Sequence, residues 1–445
     1  MRRRGKHLSG LIVVLPLILQ LLWPAHALPM EPRGEVVDIP GPAQGIAGEP
    51  TAVMNAQSLP DDGEKHEPAT PGVLAPSASP PTIEVWYGGR QYFGQKGLPQ
   101  QWINIVGNVW DEDGIKSLKY TVNGGDERPL TVGADGYRLV EAGDFNADPP
   151  HTDFHDGENE VVLIATDKDN VTSTETVIVE YEAGNTWPES YSIHWSTVSD
   201  IQQVAQVVDG LWEIRDGQLH TARPGYDRLV AIGDMDWTDY EVVVPITIHE
   251  WYTGRPGVGI LVRWNGHGDD GDQPHYEHPF GGLGWYRYYE WNVPRLAIMG
   301  NSGANIDEDR DRRLDLEVTY IFKMQVMTEP GGDSRYSLKV WPATDQEPEA
   351  WDLSGLGDDI DPDEAHGSAV LVAHRADASF GDVTIRPLHG GYVLTVTTDG
   401  EGWVQHTPGN PYTSDDVATL RPVPTEHWSF SGWGGPNAEE LIGNG

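Results

Sequence analysis

The stretch Tyr240-Glu241-Val242-Val243-Val244-Pro245-Ile246-Thr247-Ile248 decides the fold class of this 445-residue chain. Three consecutive valines followed by Ile-Thr-Ile are β-branched residues that suit a pleated, buried surface and crowd a helix. The same texture continues outward from it. Upstream, Leu211-Trp212-Glu213-Ile214-Arg215-Asp216-Gly217-Gln218-Leu219 reads as a strand, a tight turn and the start of a second strand. Downstream lie Val258 to Trp264, Leu283 to Trp291, Leu314 to Val326, Tyr336 to Trp341 and Ala369 to Ala373, and Phe380-Gly381-Asp382-Val383-Thr384-Ile385 closes the unit. About a dozen strands in about 200 residues, spanning 184–388, predict a two-sheet jelly roll.

Composition agrees with an all-β chain. Gly and Pro are abundant, at 52 and 34, and no block of Ala, Leu, Glu and Lys marks a long helix. The length points to two to four domains. The chain has no cysteine, which excludes disulfides, thiol catalysis, Cys-ligated zinc and iron–sulfur clusters. Its formal net charge of −40 should repel nucleic acid and anionic lipid, so neither is an expected partner.

The N-terminus carries an export signal over residues 1–27. Arg2, Arg3, Arg4 and Lys6 form a basic region, Leu8 to Trp23 an apolar one, and Ala25-His26-Ala27 a small-x-small cleavage site. The apolar run is shorter than the roughly 20 residues of a spanning helix. No membrane span is therefore expected after cleavage. Residues 28–80, rich in Pro, Gly, Ala, Ser and acids, predict a flexible linker.

Residues 81–183 hold about seven short strands in about 100 residues, the size of an immunoglobulin-like sandwich. The runs VWDEDGIKSLKYTVNGG (109–125) and GENEVVLIATDKDNVTSTETVIVEY (157–181) resemble the immunoglobulin-like and cadherin-like modules of bacterial surface proteins, which often act as spacers. In 184–388, LWEIRDGQLHTARPG, WTDYEVVVPITIH, GVGILVRWNGH and ASFGDVTIRPL resemble the concanavalin A-like lectin/glucanase fold, including laminin G-like domains. That fold hosts both binders and hydrolases. Residues 389–445 carry Tyr392-Val393-Leu394-Thr395-Val396, Gly400, Gly402, Val417-Ala418-Thr419-Leu420-Arg421-Pro422 and Phe430-Ser431-Gly432-Trp433-Gly434. This is similar to the divergent internalin-type B repeat, a β-grasp-like module, and it is expected to be incomplete at its C-terminus. Together the resemblances imply an extracellular or bacterial cell-surface protein that recognises a glycan or a surface protein.

Glucanases of this fold place acids as E-x-D-x-x-E on one strand, and no predicted strand has that spacing; G-x-S-x-G is absent as well. An extracellular glycan-active hydrolase with an unrecognised site therefore stands as one alternative, and a structural component without a ligand as another. The candidate binding face is Trp285, Arg287, Tyr289 and Trp291, which share one side of a strand if it is regular. Arg263 and Asn265 join it, as the less apolar side of the run holding Val262 and Trp264, and Glu241, Thr247 and His249 do likewise on the earlier strand. Sugars stack on aromatic rings while Arg and Asn take their hydroxyls. The competing reading is that these aromatics fill a core poor in Phe.

Structural Ca²⁺ is the one expected cofactor. Asp111 and Asp113 in D-E-D-G resemble the start of an oxygen-ligand loop, as do Asp167 and Asp169. Asp382 sits where related jelly rolls place a calcium ligand, although Gly381 replaces a second acid common there. Acid-rich turns also occur without metal. The insert His267 to His278 mixes imidazoles and carboxylates, and reads as a solvated rim loop or a transition-metal site.

Overall fold

The computed structural model describes residues 6–13, 79–268, 274–275, 280–289, 293–329, 332–357, 365–388, 395–399, 401–407, 419–425 and 427–434. Among them the chain is all-β, and its only helical elements are three short 3₁₀ turns. No helix among the described residues is long and apolar enough to cross a membrane.

The first unit is two facing sheets. Thr82–Val85, Ile105–Trp110 and Asp144–Ala147 form one. Arg90–Phe93, Thr172–Tyr181, Gly157–Asp167, Ile115–Val122 and Arg128–Leu130 form the other, in that order. Period-2 alternation builds the core between them. In Gly157–Asp167, Val161, Leu163 and Ala165 are fully buried, whereas Val162, Ile164 and Thr166 are partly exposed. Arg90–Phe93 pairs in parallel with Thr172–Tyr181, so the N-terminal segment serves both sheets, crossing at Gly88, whose φ of +82° suits glycine.

The second unit is a larger two-sheet sandwich. The seven-stranded sheet runs Gln206–Asp209, Arg228–Ile232, Ser368–His374, Gly257–Trp264, Gly282–Tyr288, Pro294–Met299, Asn305–Asp309. Tyr240–Trp251 lies inside the nine-stranded sheet, paired with Thr319–Thr328 on one side. On its other side it pairs with Ala376–Phe380 and then with Val383–Pro387. Pro245 cannot donate a ladder hydrogen bond, and it sits at the junction of those two partners, where Gly381 N–H donates to its carbonyl at 2.8 Å. A Cβ on Gly381 would lie 2.9 Å from the Pro245 ring, which accounts for glycine there. Val242, Val244 and Ile246 meet Val258, Ile260 and Val262 across the interior, all fully buried. Each contributes roughly 1.5–3 kcal/mol by leaving water.

The two units are joined by a buried polar seam. Arg138, 9% exposed, ion-pairs with Asp148 of its own unit at 3.0 Å and with Asp209 of the larger one at 2.6 Å. Asn146 donates to the Val208 carbonyl at 2.7 Å, and Gln206 donates to the Trp102 carbonyl and to Asn104 at 2.8 and 2.9 Å. Trp102 Nε1 donates to the His267 carbonyl at 2.8 Å, and Ser368 Oγ to the Pro99 carbonyl at 2.8 Å. Residues expected to act as a spacer are thus continuous with the jelly roll.

In the C-terminal stretch, Gly402–Thr407 pairs with Thr419–Pro424. Thr395–Asp399 and Trp428–Gly434 flank Lys6–Val13, a segment read above as part of an export signal. Tyr392 to Leu394, Val417, Ala418 and the expected incomplete end of the repeat fall outside the described residues, as do most of the 28–80 linker and the rest of the signal.

Candidate functional site

In most sandwiches one face of each sheet is core and the other is solvated. Here the outer face of the seven-stranded sheet is apolar too. Leu229, Leu261, Leu283, Trp285 and Val372 point away from the central core and form a cluster of their own, each no more than 7% exposed. The strand Gly257–Trp264 presents Gly257 and Gly259 to this side. A Cβ on Gly259 would come within 2.4 Å of the Trp285 Cβ, and one on Gly257 within 2.9 Å of both Trp285 and Arg287 side-chain atoms. The two missing side chains let Trp285 and Arg287 lie across the sheet.

A cavity of about 450 Å³ opens over this face, lined by Trp264, Trp285, Arg287, His374, Tyr226 and Met299 among others. A second cavity of about 570 Å³ shares Tyr226, Asp227 and His267 with it and is walled by Thr131, Tyr137, Arg138 and Leu139 of the first unit. The two are one cleft, with the jelly-roll sheet as floor and the 131–139 loop as wall. A ladder of rings and guanidiniums runs along it. The Tyr137 and Tyr226 rings meet edge-on at 5.1 Å, Tyr226 and His374 at 4.6 Å, and His374 and Trp285 at 6.3 Å. The Arg287 guanidinium then lies 4.1 Å from the Trp285 ring and 4.0 Å from the Tyr289 ring, with Arg295 at 3.8 Å on Tyr289.

The polar groups are fixed from behind. His374 Nδ1 lies 2.6 Å from Asp227, and His267 Nε2 lies 2.8 Å from Asp209. Burial alone would raise the Asp209 carboxyl, but Arg138 and His267 overcome it and hold the group at about 2. Burial pushes Tyr226 up to about 12, keeping its hydroxyl protonated, and lowers Arg287. Three buried nitrogens around the cleft, His267 Nδ1, Trp285 Nε1 and Arg287 Nε, have no hydrogen-bond partner among the described residues. Native proteins rarely leave such groups unpaired.

The structure brings Trp285, Arg287 and Tyr289 together, and Trp291 lies outside the described residues. Arg263 is placed elsewhere. A bulge between Leu261 and Trp264, with Arg263 at φ +54°, breaks the alternation on which its assignment to the face relied. Trp264 therefore joins Leu261 on the cleft side, while Val262 stays in the central core. The Arg263 guanidinium, 1% exposed, donates to the Thr238 carbonyl at 2.8 Å, to Asp239 at 2.8 Å, to Thr328 at 2.7 Å and to Ser334. That set corrects its expected role from ligand contact to structural anchor. Asn265 follows in the half-buried turn after the strand. Glu241, Thr247 and His249 belong to the nine-stranded sheet, where Glu241 pairs with Lys323 at 2.8 Å.

Asp111 and Asp382, expected to hold calcium, stand apart from each other and have partners within the chain. Asp382 receives the Trp195 N–H at 3.1 Å on one oxygen and faces His194 Nδ1 at 2.8 Å with the other. Asp111 Oδ1 accepts the Asp113 N–H at 2.8 Å, closing an Asx turn. No group of three or more His, Cys, Asp or Glu positioned to hold a metal occurs among the described residues, which leaves the described part of the His267 insert, also, without such a centre.

One arrangement imitates a hydrolase. His249 Nε2 lies 3.1 Å from Ser379 Oγ, and its Nδ1 lies 3.1 Å from both Glu317 oxygens. The spacing matches a nucleophile–base–acid relay. Ser379, however, is 1% exposed on a sheet face, so no carbonyl or sugar carbon reaches its hydroxyl.

Sequence reasoning missed Tyr137, Tyr226 and His374, which come from three separate segments. The glycines at alternate positions in Gly257-Val258-Gly259 were the one local signal, since they mark a strand over which something large passes.

No family model matches the chain, and no curated protein matches it. Among solved structures, the Ca²⁺-bound exoplasmic/lumenal domain of VIP36 is 10% identical, covers 45% of this chain and 92% of its own, and has a TM-score of 0.32. The metal-free carbohydrate recognition domain of Emp46p is 9% identical, with 45% and 97% covered and a TM-score of 0.33. A structure described as "Prominent members of the human gut microbiota express endo-acting O-glycanases to initiate mucin breakdown" is 8% identical, with 44% and 98% covered and a TM-score of 0.30. At those scores the likenesses carry nothing about the ligand of this cleft.

Proposed function

We propose that this protein is an exported recognition protein of a bacterial cell surface that binds glycan in the cleft between the jelly-roll sheet and the 131–139 loop. The observation that carries the reading is the aromatic ladder lining the cleft together with buried polar groups that lack partners among the described residues. Sugar rings offer apolar faces to aromatics and hydroxyls to nitrogen donors, and this cleft presents both. The signal-like N-terminus and the linker-like residues 28–80 support an extracellular setting, with adhesion as the biological task. Binding without turnover is favoured because the relay at Ser379 is sealed from solvent.

The test is binding of the whole chain to an array of extracellular glycans, with Trp285→Ala as the site control. Bound sugars lost in the variant, whose melting temperature is checked in parallel, support the reading. A blank array from folded protein refutes it and favours a protein ligand or a purely structural component. Release of reducing ends from any bound polysaccharide would establish a hydrolase.

A further inference from the structure

His374 ends the strand Ser368–His374, and Asp227 immediately precedes the strand Arg228–Ile232. The two strands are antiparallel with Arg228 opposite Ala373, so their register sets Asp227 beside His374. His374 stands two residues on from Val372 and shares its side of the sheet, over the cavity. Both strands leave this point through left-handed residues, Asp227 at φ +31° and Arg375 at φ +49°. A side chain is strained in that region, and such strain persists where surrounding contacts enforce it, often at ligand sites. Here the Arg375 N–H donates to the Gly225 carbonyl at 2.6 Å, and the Tyr252 N–H donates to the Arg375 carbonyl at 2.9 Å.

The His374–Asp227 pair has a defined polarity. Nδ1 lies 2.6 Å from Asp227 Oδ1, and a carboxylate only accepts, so Nδ1 carries the hydrogen. In the neutral ring Nε2 is then a lone-pair acceptor. It makes no hydrogen bond among the described residues, and it is not sealed as Trp285 Nε1 and His267 Nδ1 are. Its neighbours in the cavity differ in kind, since the Trp285 indole and the Arg287 and Arg375 guanidiniums can only donate. Tyr226 and Trp285 flank the imidazole, with ring centroids at 4.6 and 6.3 Å. A sugar lying on either ring brings a hydroxyl beside Nε2.

We infer that His374 Nε2 accepts a hydrogen bond from a hydroxyl of the bound sugar, with Asp227 as the positioning residue that fixes its tautomer and tilt. This rests on the glycan reading above and narrows it to sugars whose hydroxyl at that position is free. A hydroxyl can donate to Nε2, whereas an ether, an ester or a missing oxygen offers it no hydrogen. The pair thus sets specificity by what the ligand must donate.

The experiment compares wild type and His374→Phe, as full chains at pH 8, on an array of glucose-, galactose-, mannose- and N-acetylhexosamine-based glycans. Each glycan is present in parent, monodeoxy and mono-O-methyl forms. His374→Phe keeps a ring between Tyr226 and Trp285 and removes the acceptor. In wild type, deleting or methylating one particular hydroxyl should weaken binding about tenfold. In His374→Phe the parent should bind about tenfold more weakly, and the same deletion should cost less than about twofold, because its partner is already gone. A merely structural histidine predicts that the deletion costs the same in both proteins, and that result overturns the inference. Wild-type binding indifferent to every single hydroxyl also overturns it and leaves the glycan reading standing. A blank array from folded protein overturns both. Should His374→Phe not fold, the ¹⁵N resonance of His374 Nε2 in wild type decides. A shift with the parent glycan and none with its deoxy form supports the inference, and no shift with either overturns it.

Discussion

Removing the Arg138 side chain should uncouple the two β-units. Arg138 is 9% exposed and holds Asp148 at 3.0 Å and Asp209 at 2.6 Å, both with 1% of their side chains exposed. Arg138→Met keeps volume and removes charge, leaving two carboxylates buried without their cation. Breaking a buried ion pair from one side costs about 3–5 kcal/mol. In a unit of this size that lowers the melting temperature by on the order of 10 °C. Acidity supplies a second readout. Asp209 is held at about 2 when folded, against about 3.9 for an unfolded aspartate. A depressed folded value stabilises above the unfolded one, so this contribution is complete above about pH 4 and disappears as pH falls towards about 2. Without Arg138, burial dominates, the Asp209 carboxyl rises, and acid unfolding begins at higher pH. Calorimetry over a pH series checks both effects, and Arg138→Met/Asp209→Asn should recover part of the loss by removing one stranded charge. A Tm change under about 2 °C with an unshifted acid limb would refute the reasoning, since it would mean that the seam is hydrated and the units are independent.

Four further outcomes follow from the same geometry. Arg263→Ala should lower stability by about 3 kcal/mol in urea unfolding, because its bonds to Thr238, Asp239 and Thr328 are internal, and should leave glycan affinity at fixed folded fraction unchanged. Tyr137→Ala should do the reverse: the ring is 60% exposed at the cleft wall, so titration should show about fivefold weaker binding, on the order of 1 kcal/mol, with little change in Tm. Ser379 should resist a fluorophosphonate probe followed by mass spectrometry, since its hydroxyl is sealed. Chelation with EDTA should leave the thermal unfolding curve unchanged, because the Asp382 oxygens already have internal partners; a fall in Tm would restore calcium.

The fold was legible because burial writes itself locally. Val242, Val244 and Ile246 alternate with less buried neighbours, and that period is all a strand requires to declare its inner face. The site was legible only where alternation persisted. Trp285 and Arg287 stand two apart on a regular strand and do share the cleft, whereas Arg263 stands within a bulge that inserts one residue and reverses the side chain of Trp264 after it. Composition does not announce a bulge; the positive φ at Arg263 is held by contacts to residues 23 to 71 positions away. The same limit hid the cleft's second wall. Tyr137 and Tyr226 meet because Arg138 is anchored to Asp209, and neither loop carries a pattern that points to the other.

That anchoring bears on what the smaller unit is for. A spacer needs few contacts with what it spaces, and domain boundaries normally fall where few bonds cross. Here the ion pair from Arg138 to Asp209 and the bonds from Trp102 to the His267 carbonyl and from Gln206 to Asn104 all cross between the units, and the loop that supplies Arg138 also supplies Tyr137 at the cleft rim. Cutting the chain near residue 184 would remove one wall of the cleft and strand Asp209 beside His267 without its arginine. The smallest piece that can be asked about ligand is therefore both β-units together, and a jelly roll tested alone should bind weakly even if it folds.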